Sequence, residues 1–147
     1  MIDNLVIRSP RGNHQSIYID SDFGCGGVEF ILTDGGERIH IGKDCLFAWD
    51  VKLRANDGHS IIDIESNTAI NIPKEIIIGD HCWIGEGVKI LKNTQISSNS
   101  VVGGFSVVTK KFLQKNVVVA GTPAKIVKSN ITWDRLRPEL YNLTKKT

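Results

Sequence analysis

The sequence predicts an all-β fold, a parallel β-helix, from the spacing of its apolar residues. An aliphatic residue recurs at every sixth position, at Ile78, Ile84, Ile90, Ile96, Val102 and Val108. A helix would place apolar residues three and four apart and a half-buried strand would alternate them, so this period indicates short strands separated by regular turns. Four positions after each of the first five comes a second, smaller residue: Cys82, Val88, Thr94, Ser100 and Ser106. A weaker spacing of six precedes them at Ile41, Phe47 and Leu53.

These two kinds of position fit a coil of triangular cross-section. An aliphatic residue would fill the inside of each flat face, and only a small residue fits at the tight corner. Three faces make one coil of roughly 18 residues. The spacing predicts that the prism starts near residue 20, and that residues 1–20 pair with or cap its open end, as repeat proteins require.

The spacing is interrupted over residues 58–74 and resumes at Ile78. We expect a loop extruded from the prism there, and insertions in solenoids tend to mark the binding face. After Thr109 the pattern loosens. In the tail, residues 125–147, Pro138 limits any helix, so the sequence predicts a short helix and a frayed end.

The composition fits one domain over residues 1–147, with 41% hydrophobic residues to fill a solenoid core. The net charge is only +2, which argues against a nucleic-acid partner. Lysines collect near the C-terminal end of the prism, where they could hold a compact polyanion or simply form a solvated face. We expect no membrane span and a cytoplasmic location, since no run reaches roughly 18 apolar residues. The three isolated cysteines are predicted to be buried core residues.

A longer segment, EIIIGDHCWIGEGVKILKNTQISSNSVVGGFSVVTKKFLQKNVVVAGTPAKIVK, carries IGDxxWIG, GGFSVVTK and AGTPAK in that order. This combination resembles the hexapeptide-repeat acetyltransferases, especially the maltose and galactoside branch. The upstream ANDGHSI followed by a loop is similar to that family's catalytic segment. Together with the tryptophan of HCW, it also resembles the capsule-sialic-acid O-acetyltransferases. The resemblance implies a left-handed β-helix, a homotrimer with active sites between prisms, and acetyl-CoA as cosubstrate without a metal.

His59 is the candidate general base. A hydroxyl that attacks a thioester must lose its proton, and imidazole is well matched to neutral pH. A lone histidine is more often structural, but His59 lies between the AsnAspGly turn and the loop, and the family pattern places the base there. Asn56 and Asp57 are candidate contacts to the acceptor. Asp57 could instead orient the imidazole or serve only as a turn residue.

Residues after the loop supply the other predicted contacts. By the resemblance, the Glu86 backbone N–H would face the thioester oxygen, although relatives often carry a small residue at that position. Trp83 is in an outward slot, where it would line the pantetheine arm, the acetyl group or the acceptor, or cover a trimer contact. The remaining cofactor contacts implied by the resemblance are Gly85, Gly103, Gly104, Thr109, Lys110, Lys111, Pro123, Ala124, Lys125 and Lys128. Lys125 ranks first among the candidate phosphate contacts.

The sequence thus predicts an acetyl-CoA-dependent O-acetyltransferase acting on a sugar hydroxyl of a cell-surface polysaccharide or its precursor, by direct attack. An N-acetyltransferase acting on an amino sugar nucleotide and a non-catalytic β-helix scaffold remain alternatives. A zinc enzyme like the γ-class carbonic anhydrases, which share this fold, is disfavoured because their HxxxxH pair is absent. His40 and His81 are expected to point outward at the surface or an interface.

Overall fold

The six-residue spacing corresponds to short strands that alternate among three parallel sheets. The computed structural model describes residues 1–145. Its elements are β1 (Leu5–Arg8), β2 (Ser16–Ile19), β3 (Gly24–Cys25), β4 (Val28–Ile31), β5 (Arg38–Ile41), β6 (Leu46–Phe47), β7 (Val51–Arg54), β8 (Ile62–Asp63), β9 (Thr68–Ala69), β10 (Ile76–Ile78), β11 (Trp83–Ile84), β12 (Lys89–Leu91), β13 (Gln95–Ile96), β14 (Val101–Val102), β15 (Val107–Val108), β16 (Lys111–Phe112), β17 (Val117–Gly121), β18 (Ala124–Ser129) and α1 (Pro138–Thr144).

Each sheet forms one face of a triangular prism. The first face contains β1, β4, β7, β12 and β15; the second contains β2, β5, β10, β13 and β16; the third contains β3, β6, β11, β14, β17 and β18. The chain visits the faces in this order in every coil. All neighbours within these faces are parallel except β17 and β18, which pair antiparallel and close the third face.

The register confirms the predicted coil length. Three inward aliphatic residues pair with the one 18 positions later: Ile78 with Ile96, Ile84 with Val102, and Ile90 with Val108. All six side chains are buried, and so are the smaller residues of the second position and the three cysteines. Burying one such aliphatic side chain stabilises a fold by about 1.5–3 kcal/mol, so the stacked columns form the main stabilising element.

The corners at the edge between the second and third faces use a left-handed backbone conformation. One residue per coil there adopts positive φ: Asp22, Asp44, His81, Asn99 and Asn116. Asn and Asp tolerate this left-handed conformation because their short side chains bond locally. His81 is the exception in this column, and its ring makes contacts described below.

The start of the prism differs from the sequence prediction. Strand β1 pairs with β4 and β2 pairs with β5, both in parallel register, so residues 1–20 pair with the prism, which was one of the two predicted alternatives, and form its first coil. The predicted start near residue 20 is therefore wrong. Polar residues 9–15 and 33–37 lengthen the corners of the first two coils, which hides the six-residue spacing without breaking the sheet.

Two segments leave the regular prism. Between β7 and β10 the chain extends outward and forms the small antiparallel hairpin β8–β9. After β18 the tail crosses the third face and ends in the short helix α1, which begins at Pro138. The last part of the predicted frayed end, residues 146–147, lies outside the described residues. No helix within residues 1–145 is long and apolar enough to cross a membrane.

Candidate active site

His59 lies at the base of the extruded loop, on the edge between the first and second faces. Its side chain is exposed and lines a small cavity of about 220 Å³ together with Asp34, Asn71 and Ile72. The turn before it includes Gly58 at φ 83°, a backbone conformation that favours glycine. The chain therefore presents the imidazole away from the prism interior and next to an open recess.

Every carbonyl oxygen of this turn, residues 56–59, accepts a hydrogen bond from a side chain. The hydrogen bonds run from Arg54 Nε to Asn56 O (3.1 Å), from Arg54 Nη2 to Asp57 O (3.2 Å), from Arg11 Nη2 to Gly58 O (2.7 Å) and from Asn71 Nδ2 to His59 O (2.8 Å). A turn whose carbonyls are all engaged has fewer alternative conformations. Sequence reasoning missed Arg11 and Asn71 because their bonds join different coils and loop limbs, and it missed Arg54 because a local side-chain bond to a carbonyl leaves no pattern in the sequence.

Asn56 supports this turn from inside the prism. It is buried, its Oδ1 accepts a hydrogen bond from Thr33 Oγ1 at 2.8 Å, and its Nδ2 donates to Ile31 O at 3.2 Å and to Glu37 Oε1 at 3.1 Å. With its polar atoms used inside the coil, Asn56 does not reach an external ligand. The structure therefore corrects the prediction that Asn56 contacts the acceptor.

Glu37 is a buried carboxylate that the sequence analysis overlooked. It accepts hydrogen bonds from Asp34 N at 2.6 Å and from Gly35 N at 2.7 Å. Burial alone would raise the pKa of Glu37, but these backbone donors lower it below its usual value. The alternation that points Ile39 and Ile41 inward also includes position 37, and this signal would have identified it.

The Asp57 carboxylate faces the prism instead of the imidazole. It forms an ion pair with Lys92, on the same edge one coil further on, and accepts a hydrogen bond from Asn71 Nδ2 at 2.8 Å. These two partners, Lys92 first, hold the pKa of Asp57 below its usual value. Within residues 1–145 the carboxylate makes no hydrogen bond to the His59 ring, so the alternative that Asp57 orients that ring directly is not supported.

Trp83 points outward from the third face, as predicted, and its side chain is 41% exposed. It lines a large cavity of about 1010 Å³ between this face and the tail. All three tryptophans of the chain, Trp49, Trp83 and Trp133, contribute to its wall. Aromatic side chains combined with few polar groups are typical of ligand pockets.

The tail is fixed over this cavity by a cluster of four side chains. His81 stacks on Trp133 with ring centroids 4.5 Å apart, and its Nδ1 and Nε2 lie 2.6 Å from Asp44 Oδ2 and 3.0 Å from Trp133 O. Trp133 Nε1 donates to His81 O at 2.8 Å, and Arg135 donates to Asp44 Oδ1 at 2.6 Å. His81 thus points outward from the prism, as expected, and packs there against the chain's own tail.

Gly85 and Glu86 lie at the edge between the third and first faces. A Cβ atom on Gly85 would approach Gly104 N to 2.7 Å, so glycine is needed there for the close contact between coils. Glu86 is exposed, and among residues 1–145 its backbone N–H has no hydrogen-bond acceptor. A backbone N–H without an internal acceptor, at a corner fixed by close contact between coils, has the property that an oxyanion donor requires.

The remaining predicted cofactor residues lie in three parts of the prism. Thr109 and Lys110 lie on the His59 edge, two coils or about 10 Å further along the axis. Near the Glu86 edge, a Cβ on Gly103 would meet Ala120 Cβ at 3.0 Å. At the end of the prism, Lys125 and Lys128 are exposed on β18, Ala124 is buried, Pro123 immediately precedes that strand, and Lys111 lies on β16 of the second face.

The topology separates His59 from Trp83. In a triangular prism, the edge between the first and second faces lies opposite the third face. His59 occupies that edge and Trp83 occupies that face, so one chain does not bring the two side chains together. No group of three or more His, Cys, Asp or Glu side chains with metal-binding geometry occurs in the described part of the chain.

Comparison with known proteins identifies the family. The family model described as bacterial transferase hexapeptide (six repeats) matches residues 75–110. The solved polysialic acid O-acetyltransferase OatWY superposes with a TM-score of 0.80 and 36% identity, covering 95% of this chain and 71% of that one. The chain belongs to the hexapeptide-repeat transferase family. Membership confirms the predicted left-handed parallel β-helix.

Other members of the hexapeptide-repeat family add detail. A polysialic acid O-acetyltransferase of Neisseria meningitidis is 43% identical over 97% of this chain and 65% of its own length. One of Escherichia coli O1:K1 is 48% identical over 74% of this chain and 35% of its own length. The chain thus spans about one third to two thirds of these relatives. A Vibrio cholerae hexapeptide-repeat acetyltransferase, solved with acetyl-CoA, is 26% identical with a TM-score of 0.54, over 87% of this chain and 71% of that one.

Proposed function

We propose that this protein transfers the acetyl group of acetyl-CoA to a hydroxyl of a sugar in a cell-surface polysaccharide or its precursor. The observation that carries this proposal is the exposed His59, presented next to a recess by a turn whose carbonyls are all engaged. Two relatives are named polysialic acid O-acetyltransferases, which makes polysialic acid the first acceptor to test. A cytoplasmic location is part of the proposal, because acetyl-CoA is available there.

The proposed reaction is a direct attack. His59 takes the proton of the sugar hydroxyl while the oxygen bonds to the thioester carbonyl carbon. The Glu86 backbone N–H stabilises the negative charge that develops on the carbonyl oxygen. As the carbon–sulfur bond breaks, the CoA thiolate leaves and takes the proton from the imidazolium. An acyl-enzyme is not invoked, since the three cysteine thiols are buried in the prism.

We also propose a homotrimer in which each active site lies between two protomers. The separation of His59 and Trp83 within one chain supports this, because a neighbouring protomer can place its third face against the His59 edge. Exposed isoleucines on the loop hairpin offer apolar surface for that contact: Ile61, Ile62, Ile64, Ile70 and Ile72.

The division of the predicted cofactor residues fits the same arrangement. Acetyl-CoA would lie in the groove between protomers, along Gly85, Gly103 and Gly104, with Trp83 as an aromatic wall for the pantetheine arm. Thr109, Lys110 and Lys111 would approach from the adjoining prism. Lys125 and Lys128, next to Pro123 and Ala124, would supply positive charge for the phosphates.

The test is thiol release from acetyl-CoA with a panel of acceptors, for wild type and His59→Ala. The panel contains polysialic acid, neutral oligosaccharides and amino sugar nucleotides. We expect release that depends on a sugar hydroxyl and falls by about 10²–10⁴-fold in the variant. Equal release by both proteins would overturn the role of His59. Release only with amino sugar nucleotides would indicate N-acetylation, and no release together with no acetyl-CoA binding would indicate a scaffold.

A further inference from the structure

Asn71 connects the two limbs of the extruded loop directly at His59. It lies on the limb that returns to the prism, and its side chain contacts three residues of the outgoing limb. Its Nδ2 donates to Asp57 Oδ2 at 2.8 Å and to His59 O at 2.8 Å, and its Oδ1 accepts from Ile61 N at 2.7 Å. One side chain therefore engages the backbone at His59, the backbone two residues after it and the carboxylate two residues before it.

This contact reaches a part of the turn that the arginines do not. Arg11 and Arg54 bond the carbonyls that precede His59, while the His59 carbonyl and the Ile61 N–H are engaged by Asn71 alone among the hydrogen bonds of residues 1–145. A backbone bond from Ile70 N to Ile61 O at 2.9 Å joins the same limbs one residue further out. Without Asn71, the backbone on the loop side of His59 loses its side-chain support.

Asn71 is itself tied to the regular prism. Lys92 Nζ donates to Asn71 O at 3.0 Å while forming the ion pair with Asp57. Lys92 directly follows β12, whose backbone is fixed by pairing on both sides. Lys92 and Asn71 thus connect the loop at His59 to a strand that is fixed by pairing on both sides.

We propose that Asn71 is a positioning residue for His59, one that holds the imidazole in the orientation needed to accept the hydroxyl proton. This inference rests on the proposed function. The position requires two donors and one acceptor on a short planar group, which the asparagine amide supplies. Aspartate supplies no donor when ionised, and serine supplies only one.

The experiment compares Asn71→Ala and Asn71→Asp with wild type in the acetyl-transfer assay. Misplacing a catalytic group by about 1 Å can cost about 10²-fold in rate, so we expect kcat to fall about 10–100-fold in Asn71→Ala. The KM for acetyl-CoA should stay within about twofold, because the proposed cofactor residues lie elsewhere. Asn71→Asp should lose more, because its second oxygen would face the Asp57 carboxylate and the His59 carbonyl.

A charge-matched double variant provides the rescue. In Asp57→Asn combined with Asn71→Asp, the amide at position 57 can donate to the carboxylate at position 71, and the net charge of the pair is that of wild type. This double variant should recover part of the activity lost in Asn71→Asp. The His59 carbonyl still lacks its donor in this double variant, so recovery to full wild-type activity would overturn the proposal, because the bond from Asn71 to that carbonyl would then be dispensable.

Controls separate positioning from general loop damage and from failure of the proposed function. Ser66→Ala removes hydrogen bonds at the hairpin tip, to Asp63 and Thr68, and should retain wild-type kcat. Hydrogen exchange of the Ile61 amide should accelerate in Asn71→Ala, while the melting temperature stays close to wild type. If wild type is active, His59→Ala is inactive and Asn71→Ala equals wild type, the positioning role is wrong. If wild type and His59→Ala behave alike, the proposed function itself fails and the positioning role falls with it.

Discussion

The two surfaces that we assign to function, the His59 turn and the Trp83 cavity, are built from opposite kinds of interaction. The turn is polar and exposed, and its carbonyls are held by side-chain hydrogen bonds from Arg11 of the first coil, from Arg54 just before the turn and from Asn71 of the returning limb. The cavity is largely apolar, with three tryptophans in its wall, and the tail that forms one side of it is anchored by the stack of His81 on Trp133. The turn should therefore be sensitive to the loss of one polar group, whereas the cavity should depend on a few aromatic contacts and tolerate polar changes.

The largest effect is expected in a test of whether the His59 turn of one protomer and the Trp83 cavity of its neighbour form one active site. His59→Ala and Trp83→Ala, each alone, should be nearly inactive in acetyl transfer. When the two variants are unfolded together and refolded as a mixture, random assembly should give about one quarter of interfaces an intact His59 and an intact Trp83. The measurement is the specific activity of the mixture against that of each variant refolded alone. A mixture as inactive as its components would contradict the shared site.

The second prediction concerns the tail. Trp133 is only 8% exposed, and removing a buried tryptophan costs about 3 kcal/mol or more. In Trp133→Ala we expect residues 132–142 to leave the third face, with fast hydrogen exchange and tryptic cleavage at Arg135, while the prism stays folded. Trp49→Ala is the matched control, because Trp49 lines the same cavity but is 61% exposed and makes none of the anchoring contacts described above. Unchanged protection of the tail in Trp133→Ala would show that the stack does not hold it.

The third prediction concerns the support beneath the turn. Glu37→Gln keeps the shape of the side chain but removes its charge and replaces one of the two oxygens that accept hydrogen bonds from Asp34 N and Gly35 N with an NH2 group. We expect the free energy of unfolding at neutral pH to fall by about 1–3 kcal/mol. Chemical denaturation of the two proteins at several pH values measures this difference.

The sign of its pH dependence follows from the lowered pKa of Glu37. The folded-state pKa lies below the ordinary value of 4.5, so the carboxylate contributes stability above that pH and loses it as the pH falls through the folded-state pKa. The difference between wild type and Glu37→Gln should therefore shrink in acid. A difference that stays constant from neutral to acidic pH would mean that the charge of Glu37 does not matter.

The contrast between the two surfaces also explains what could be read from the sequence. The core of the prism from Ile78 to Val108 was predicted correctly, because the coil geometry repeats within the local sequence. Trp83 was placed outward for the same reason. Asn71 and Lys92 were missed because their role is to bond backbone and side chains of other segments, which leaves no periodic signal. The Trp133 stack on His81 joins residues far apart in the chain, so only the folded structure brings it into view.

The smallest expected effect is at the exposed rim of the tail cluster. The Arg135 guanidinium, and then His81, hold the pKa of Asp44 below its ordinary value of 3.8. The ion pair between Arg135 and Asp44 is nearly half exposed and is therefore screened by solvent. Arg135→Ala should lower the free energy of docking the tail by less than about 1 kcal/mol. The matched control is Arg137→Ala, at an exposed neighbouring position, where we expect a loss near zero. Because the folded-state pKa is lowered, this contribution is present above the ordinary value and is lost as the pH falls through the folded-state pKa, and added salt should weaken it. Hydrogen exchange of residues 132–142 measures this contribution. A loss in Arg135→Ala as large as that in Trp133→Ala would mean that the contacts of Arg135, and not the stack of His81 on Trp133, hold the tail over the Trp83 cavity.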